Sequence, residues 1–256
     1  MDANTPTIRS TFLLRGLVLT AILLAFVSTS AFANPVQFIL SSATATFSQS
    51  TGGVFNVSQA IDGTPNDGDG WAILESNGNT NPQIAVFQTQ TNQGFVGGVM
   101  LTFNLIQVLG FQHTIGDFRL SVTSAPRTTY ADGLQTGGNV GLPGIWTTLT
   151  PLTAVATGGA NLTINPDGSI LASGPSPATS TYTVTAFTLQ TGITGIRLEV
   201  LADASLPTNG PGRQPSNGNF VLSQITLDAA VPEPSTLSLL IGGSTLGLLF
   251  LRRRKN

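Results

Sequence analysis

Between residues 99 and 228, apolar and polar side chains alternate one for one in several separate stretches. Leu101, Phe103 and Leu105 alternate with Thr102 and Asn104, and Phe118, Leu120 and Val122 with Arg119 and Ser121. Tyr182, Val184 and Ala186 stand opposite threonines, and Ile196, Leu198 and Val200 opposite Arg197 and Glu199. In FVLSQITL, Val221, Ile225 and Leu227 fall on one side. A period of two is the mark of a strand with one buried face. No stretch of the body shows a 3.6-residue stripe. Turn formers break the runs, and Pro166-Asp167-Gly168 between NLTIN and SILAS reads as a hairpin turn. Many short strands of this kind predict an all-β chain, an antiparallel β-sandwich of jelly-roll type.

The apolar share of 41% is enough for a packed core, although charged residues make up only 9%. There is no cysteine, so no disulfide supports the fold. A body of roughly 200 residues buries enough surface without one. Charge is unevenly placed. Arg119, Arg127, Arg197 and Arg213 are the only cations of the body, against ten acids from Asp62 to Asp228, which leaves −6. Clustered cations are needed to neutralise phosphates, and their absence argues against a nucleic-acid partner.

Both ends read as membrane handles. Arg9 and Arg15 precede an uncharged stretch, Gly16 to Val27, and Ala31 and Ala33 supply the small residues of an A-x-A cleavage site. These are the three parts of a secretory signal, predicted to occupy residues 1–33 and to be cut by signal peptidase after Ala33. At the other end, Ser235 to Leu251 carries no charge, and Arg252, Arg253, Arg254 and Lys255 follow. As a helix the run would reach ~26 Å at ~1.5 Å per residue, nearly the depth of a bilayer core. The basic cluster would stay cytoplasmic and leave the body outside. Pro232-Glu233-Pro234, then the apolar run, then the basic cluster resembles the PEP-CTERM sorting signal of Gram-negative bacteria. That resemblance implies handling by exosortase, export, transient membrane residence through a C-terminal transmembrane helix (231–256), and removal of the tail. An ordinary membrane anchor predicts the same topology without processing.

The body, 34–230, is predicted to be one domain. SATATFSQSTGGVFNVSQAIDGTPNDGDGWAI (Ser42 to Ile73) resembles the opening of discoidin, or F5/8 type C, modules, and HTIGDFRLSVTS, GIWTTLTP, DGSILASG, ITGIRLEVL and GPGRQPSNGNFVLSQITL follow in a similar order. The resemblance implies the galactose-binding-like sandwich, whose loops at one end bind sugars or lipid headgroups. A glycine-rich insertion, Thr128 to Gly144, departs from it.

Asp62, Asp67 and Asp69 lie within eight residues, among glycines. Hard cations take six to eight oxygens, but the spacing is not that of an EF-hand. In discoidin-like modules such a loop often holds a structural calcium, helped by an acidic residue near the last strand. Gln224 is the match here, an oxygen without a charge. The competing reading is a capped surface turn with solvated carboxylates. His113, the only histidine, has no cysteine and no nucleophile elbow to work with, and reads as a hydrogen-bonded turn residue. Trp71 and Trp146 read as core. Tyr130, Phe95 and Phe111 lie in glycine-rich loops and are the candidates for rings that stack on sugars. No nucleophile comes with a base. The chain therefore reads as a non-enzyme: an exported cell-surface or matrix protein that binds extracellular polysaccharide. A matrix spacer without a ligand is the alternative, and a glycoside hydrolase, with paired carboxylates, the third reading.

Overall fold

A computed structural model describes residues 33–65 and 68–231 of the 256-residue chain. The signal segment with Ala31, the Pro232-Glu233-Pro234 motif, the basic cluster and Asp67 lie outside the described residues. The strands in chain order are β1 (Val36–Gln37), β2 (Leu40–Ala45), β3 (Trp71–Ala72), β4 (Gln83–Gln93), β5 (Val99–Gln107), β6 (Asp117–Thr123) and β7 (Thr147–Thr148). They continue with β8 (Pro151–Ala156), β9 (Asn161–Ile164), β10 (Ser169–Ser173), β11 (Ser180–Thr188), β12 (Ile193–Val200), β13 (Val221–Leu222) and β14 (Gln224–Ala230). Helix among the described residues is confined to short 3-10 turns.

The strands form two main sheets. One runs β1-β14-β5-β11-β8; the other runs β2-β4-β12-β6-β10-β9, with β7 on the flank of β6. Every pairing is antiparallel. The alternating side chains meet between the sheets: Leu101, Phe103 and Leu105 from β5, Tyr182 and Val184 from β11, Phe118 and Leu120 from β6, and Ile196 and Leu198 from β12. Each fully buried side chain of this size adds about 1.5–3 kcal/mol of apolar stabilisation. The hairpin turn forms as read. Gly168 takes φ +82° and donates its N–H to Asn165 O (3.0 Å), which joins β9 to β10.

The strand directions give the sandwich two distinct ends. Residues 94–98 and 189–192 turn at the end where the chain leaves β14 at Val231, called here the tail end. The connections 108–116, 174–179 and 201–220 turn at the opposite, far end, where β3 pairs with β13.

One expectation fails on the outer face of the β12 sheet. Arg197 and Glu199 alternate with core residues as solvent-facing side chains should, yet both are buried. The segment between β6 and β7 folds back over them. Tyr130 and Trp146 from that segment pack edge-to-face (centroids 5.0 Å apart) and form a second small cluster with Val86. Tyr130 lies directly over Gly195, where a Cβ would fall 2.8 Å from the ring, so only glycine fits beneath it. Arg197 stacks on Trp146 and donates to Glu199 Oε2 (3.0 Å), while Arg119 clasps the same carboxylate through Nε and Nη2. Period two reports which residues share a face. It does not report that a remote segment will cover the other one.

Candidate functional site

At the far end, the connections 174–179 and 201–220 enclose a cleft of about 310 Å³ lined by Ser176, Ser205, Leu206, Pro207, Arg213 and Pro215 among others. Arg213 is anchored by its backbone, whose N–H donates to Thr114 O (2.8 Å). Its guanidinium donates to Pro175 O (3.0 Å) and Gly174 O (2.8 Å). Only 7% of the residue is exposed, and it forms no ion pair among the described residues. The guanidinium also faces the Tyr182 hydroxyl, and an arginine has five N–H donors in all, more than these contacts use.

Beside the cleft, Gly110, Phe111 and Gln112 take left-handed φ values of +97°, +52° and +63° in succession. For the two non-glycine residues this conformation costs about 1–2 kcal/mol each. Surrounding bonds hold it. Gln112 Nε2 donates to Ser176 O (2.9 Å), and His113 donates through its backbone N–H (3.1 Å) and Nδ1 (3.0 Å) to Gly110 O. His113 is thus the turn residue the sequence indicated. The forced turn leaves the Phe111 ring 78% exposed, one residue from the contact with the cleft wall.

The three aromatic candidates do not come together. Phe111 stands at the far end and Phe95 on the tail-end loop 94–98, with the length of the sandwich between them. Tyr130 is fully buried under Trp146, a correction to its reading as a loop-tip ring. The glycines around it allow close packing, not exposure. Trp71 is core, with Nε1 donating to Phe47 O (2.9 Å) and its ring edge-on to Phe220. Trp146 is buried too, but outside the main core. Sequence reasoning missed Arg213; its isolation from any acid in NGPGRQPSNG was the available signal.

The aspartate loop also lies at the far end, on the β14 side. Asp62 Oδ1 accepts from Thr64 N–H (2.8 Å), the bond of an Asx turn. The end of the Gln59 carboxamide sits 2.9 Å from Asp62 Oδ2 and 2.7 Å from Asp69 Oδ2; with its nitrogen toward them it donates to both. Gln224 Oε1 accepts from Gly63 N–H (3.1 Å) and so orients the turn instead of facing the carboxylates. The described residues therefore offer two carboxylates bridged by an amide. That set does not meet the six to eight oxygens of a calcium cage, and no group of three or more acidic, histidine or cysteine ligands occurs among the described residues.

Two further carboxylates lie near the cleft. Burial pushes the Asp117 carboxyl up to about 6, with the Asp203 charge adding to it. Hydrogen bonds from Ser205, which lines the cleft, hold Asp203 below its usual range. Divergent carboxyls suit acid–base work. A general acid, however, must reach its leaving group within about 3 Å, and Asp117 is closed off by burial.

Comparison with known proteins places one part of the chain. Residues 230–255 match the model of the PEP-CTERM protein-sorting motif. The chain carries a PEP-CTERM sorting signal. The motif implies exosortase-dependent export with transient membrane anchoring, and its first residue, Ala230, is the last of β14. No curated protein matches the chain. Among solved structures, the chain is similar to one from the Streptococcus pneumoniae beta-galactosidase BgaA, with 12% identity over 72% of this chain and 88% of that one, at a TM-score of 0.43. It is also similar to CBM32-3 from a family 31 glycoside hydrolase of Clostridium perfringens, with 11% identity over 74% and 90% and a TM-score of 0.42.

Proposed function

We propose that the sandwich is a non-catalytic module that binds an extracellular polysaccharide at its far end, exported by way of the N-terminal signal and processed at the sorting motif. The observation that carries this reading is Arg213: a buried cation without a carboxylate partner among the described residues, lining an open cleft near the loop that exposes Phe111. Sugar recognition needs a planar apolar platform and a few fixed polar donors. Phe111 supplies the first; Arg213, with N–H donors beyond those on Gly174 O and Pro175 O, supplies the second. Removal of the tail after export would leave the module at the cell surface or in the surrounding matrix.

Affinity electrophoresis of the exported chain through gels containing the producer's own polysaccharide tests the proposal. Retardation that is lost in Phe111→Ala, with an unchanged melting midpoint, is the expected result. Equal mobility of both proteins in every polysaccharide and a blank glycan array would leave a spacer without a ligand. Release of reducing sugar, abolished by Asp117→Asn, would instead identify a hydrolase.

A further inference from the structure

The tail end is built differently from the far end. Ala33 N–H donates to Val231 O (2.9 Å), and Val36 pairs with Ala229, so both terminal segments leave the domain side by side. Around that exit exposed apolar side chains stand beside uncharged polar ones, Thr91, Asn92 and Thr191, with Arg127 tied to Asn92 Oδ1 (2.9 Å) and Thr89 O (2.7 Å) at the edge. Phe187, Met100 and Ala230 form one cross-strand row over β11, β5 and β14. The Phe187 ring covers Gly98. Loops 94–98 and 189–192 lie against each other; a Cβ on Gly94 would fall 2.8 Å from Gln190 O. At their tips Val96 is 97% and Leu189 72% exposed, and Phe95 is more than a third exposed. No charged residue occurs in 89–100 or in 180–193. Large apolar side chains exposed together on the rim at one end of a domain mark a contact surface.

We propose that this rim rests in the interface of a phospholipid bilayer while the chain is membrane-held, with Val96, Phe95 and Leu189 dipping among the headgroups. The inference relies on the reading that the terminal segments are membrane handles, and it adds an orientation: tail end down, sugar cleft outward. Chain length argues for it. Only Pro232, Glu233 and Pro234 separate Val231 from the uncharged run that starts at Ser235. Four peptide steps span at most about 14 Å even when fully extended. With that run in the bilayer, the tail end cannot move far from the surface. The body carries −6 and no lysine, and Arg127, the cation near this end, is tied to Thr89 O and Asn92 Oδ1, so an anionic leaflet attracts the domain little and the contact is chiefly apolar and weakly sensitive to salt.

Tryptophan quenching in the full-length chain, reconstituted into phosphatidylcholine vesicles with brominated acyl chains, tests this. Val96→Trp places a reporter on the rim and Phe111→Trp one at the far end; the native Trp71 and Trp146 are buried and give a common background. Flotation first establishes that the chain is membrane-held. The expected result is loss of most of the added emission at position 96, at low and high salt alike, and none at position 111. A floating chain with no quenching at 96 overturns the seating and leaves the membrane handle standing. A chain that does not float overturns both. Blue-shifted emission at 96 that brominated lipid does not quench would show the rim covered by a second copy or by the chain's own apolar run, and would also overturn the proposal.

Discussion

The guanidinium of Arg197 lies 5.2 Å from the centroid of the Trp146 ring, and both are covered by the segment that returns over the outer face of the β12 sheet. The stack explains how a charge sits in a buried layer: one face meets the ring quadrupole, and one edge meets Glu199. Trp146→Ala removes the ring and its Nε1 bond to Val140 O, and leaves Arg197 beside a cavity. We expect it to cost about 3–5 kcal/mol in urea unfolding. Trp146→Phe keeps an aromatic face and should cost less than half as much.

Stability should fall as pH rises from about 4 to about 6. Asp117 has its carboxyl raised from 3.8 to about 6, first by burial and then by Asp203. The native state therefore holds a proton that the unfolded chain has already released in that window, and unfolding becomes easier as the pH climbs. Above pH 6 the buried charge remains as a standing cost, so Asp117→Asn should flatten this slope and stabilise the protein at pH 7 by on the order of 1–3 kcal/mol. Exposed Asp132 and Asp167 and half-buried Asp203 are held below their usual range by hydrogen bonds, and they oppose this only at lower pH, where they become protonated. Urea titrations at pH 4, 5, 6 and 7 on both proteins measure the difference.

Adding EDTA should leave the melting midpoint unchanged. With its nitrogen toward them, the Gln59 amide bridges Asp62 and Asp69, and Gln224 serves Gly63. Gln59→Ala should then lower stability by about 1–3 kcal/mol, because it strips hydrogen bonds from two carboxylates. A fall of several degrees on chelation would show instead that the Gln59 oxygen faces the carboxylates around an ion.

At position 111 the shape of the loop and its proposed use pull apart. Phe111→Gly relieves a left-handed φ of +52° and should raise stability by roughly 1 kcal/mol while abolishing retention on polysaccharide. Thermal melting and affinity electrophoresis of the same sample show whether the two effects separate.

The strands were legible because each core side chain declares its face by parity. Leu101, Phe103, Leu105, Ile196 and Leu198 all sit where alternation puts them. The fate of Arg197, Glu199 and Tyr130 was not legible. It depends on a contact between a glycine-rich segment and a strand some fifty residues away, and no local pattern encodes that. Of the far-end site, the sequence showed Phe111 and the aspartates of the loop. Arg213 was hidden because it is held by the backbone carbonyls of residues 174 and 175, which carry no side-chain signature, and by Tyr182, whose alternation reads as core.

The pairing of Val36 with Ala229 has a mechanical consequence. A domain whose two chain ends leave at one corner carries no tension between those ends. Drag on a polymer gripped at the far end would cross the body to that corner. It would arrive along β14, which is bonded on both sides to β1 and β5, a strand that must lose two ladders before it can peel away.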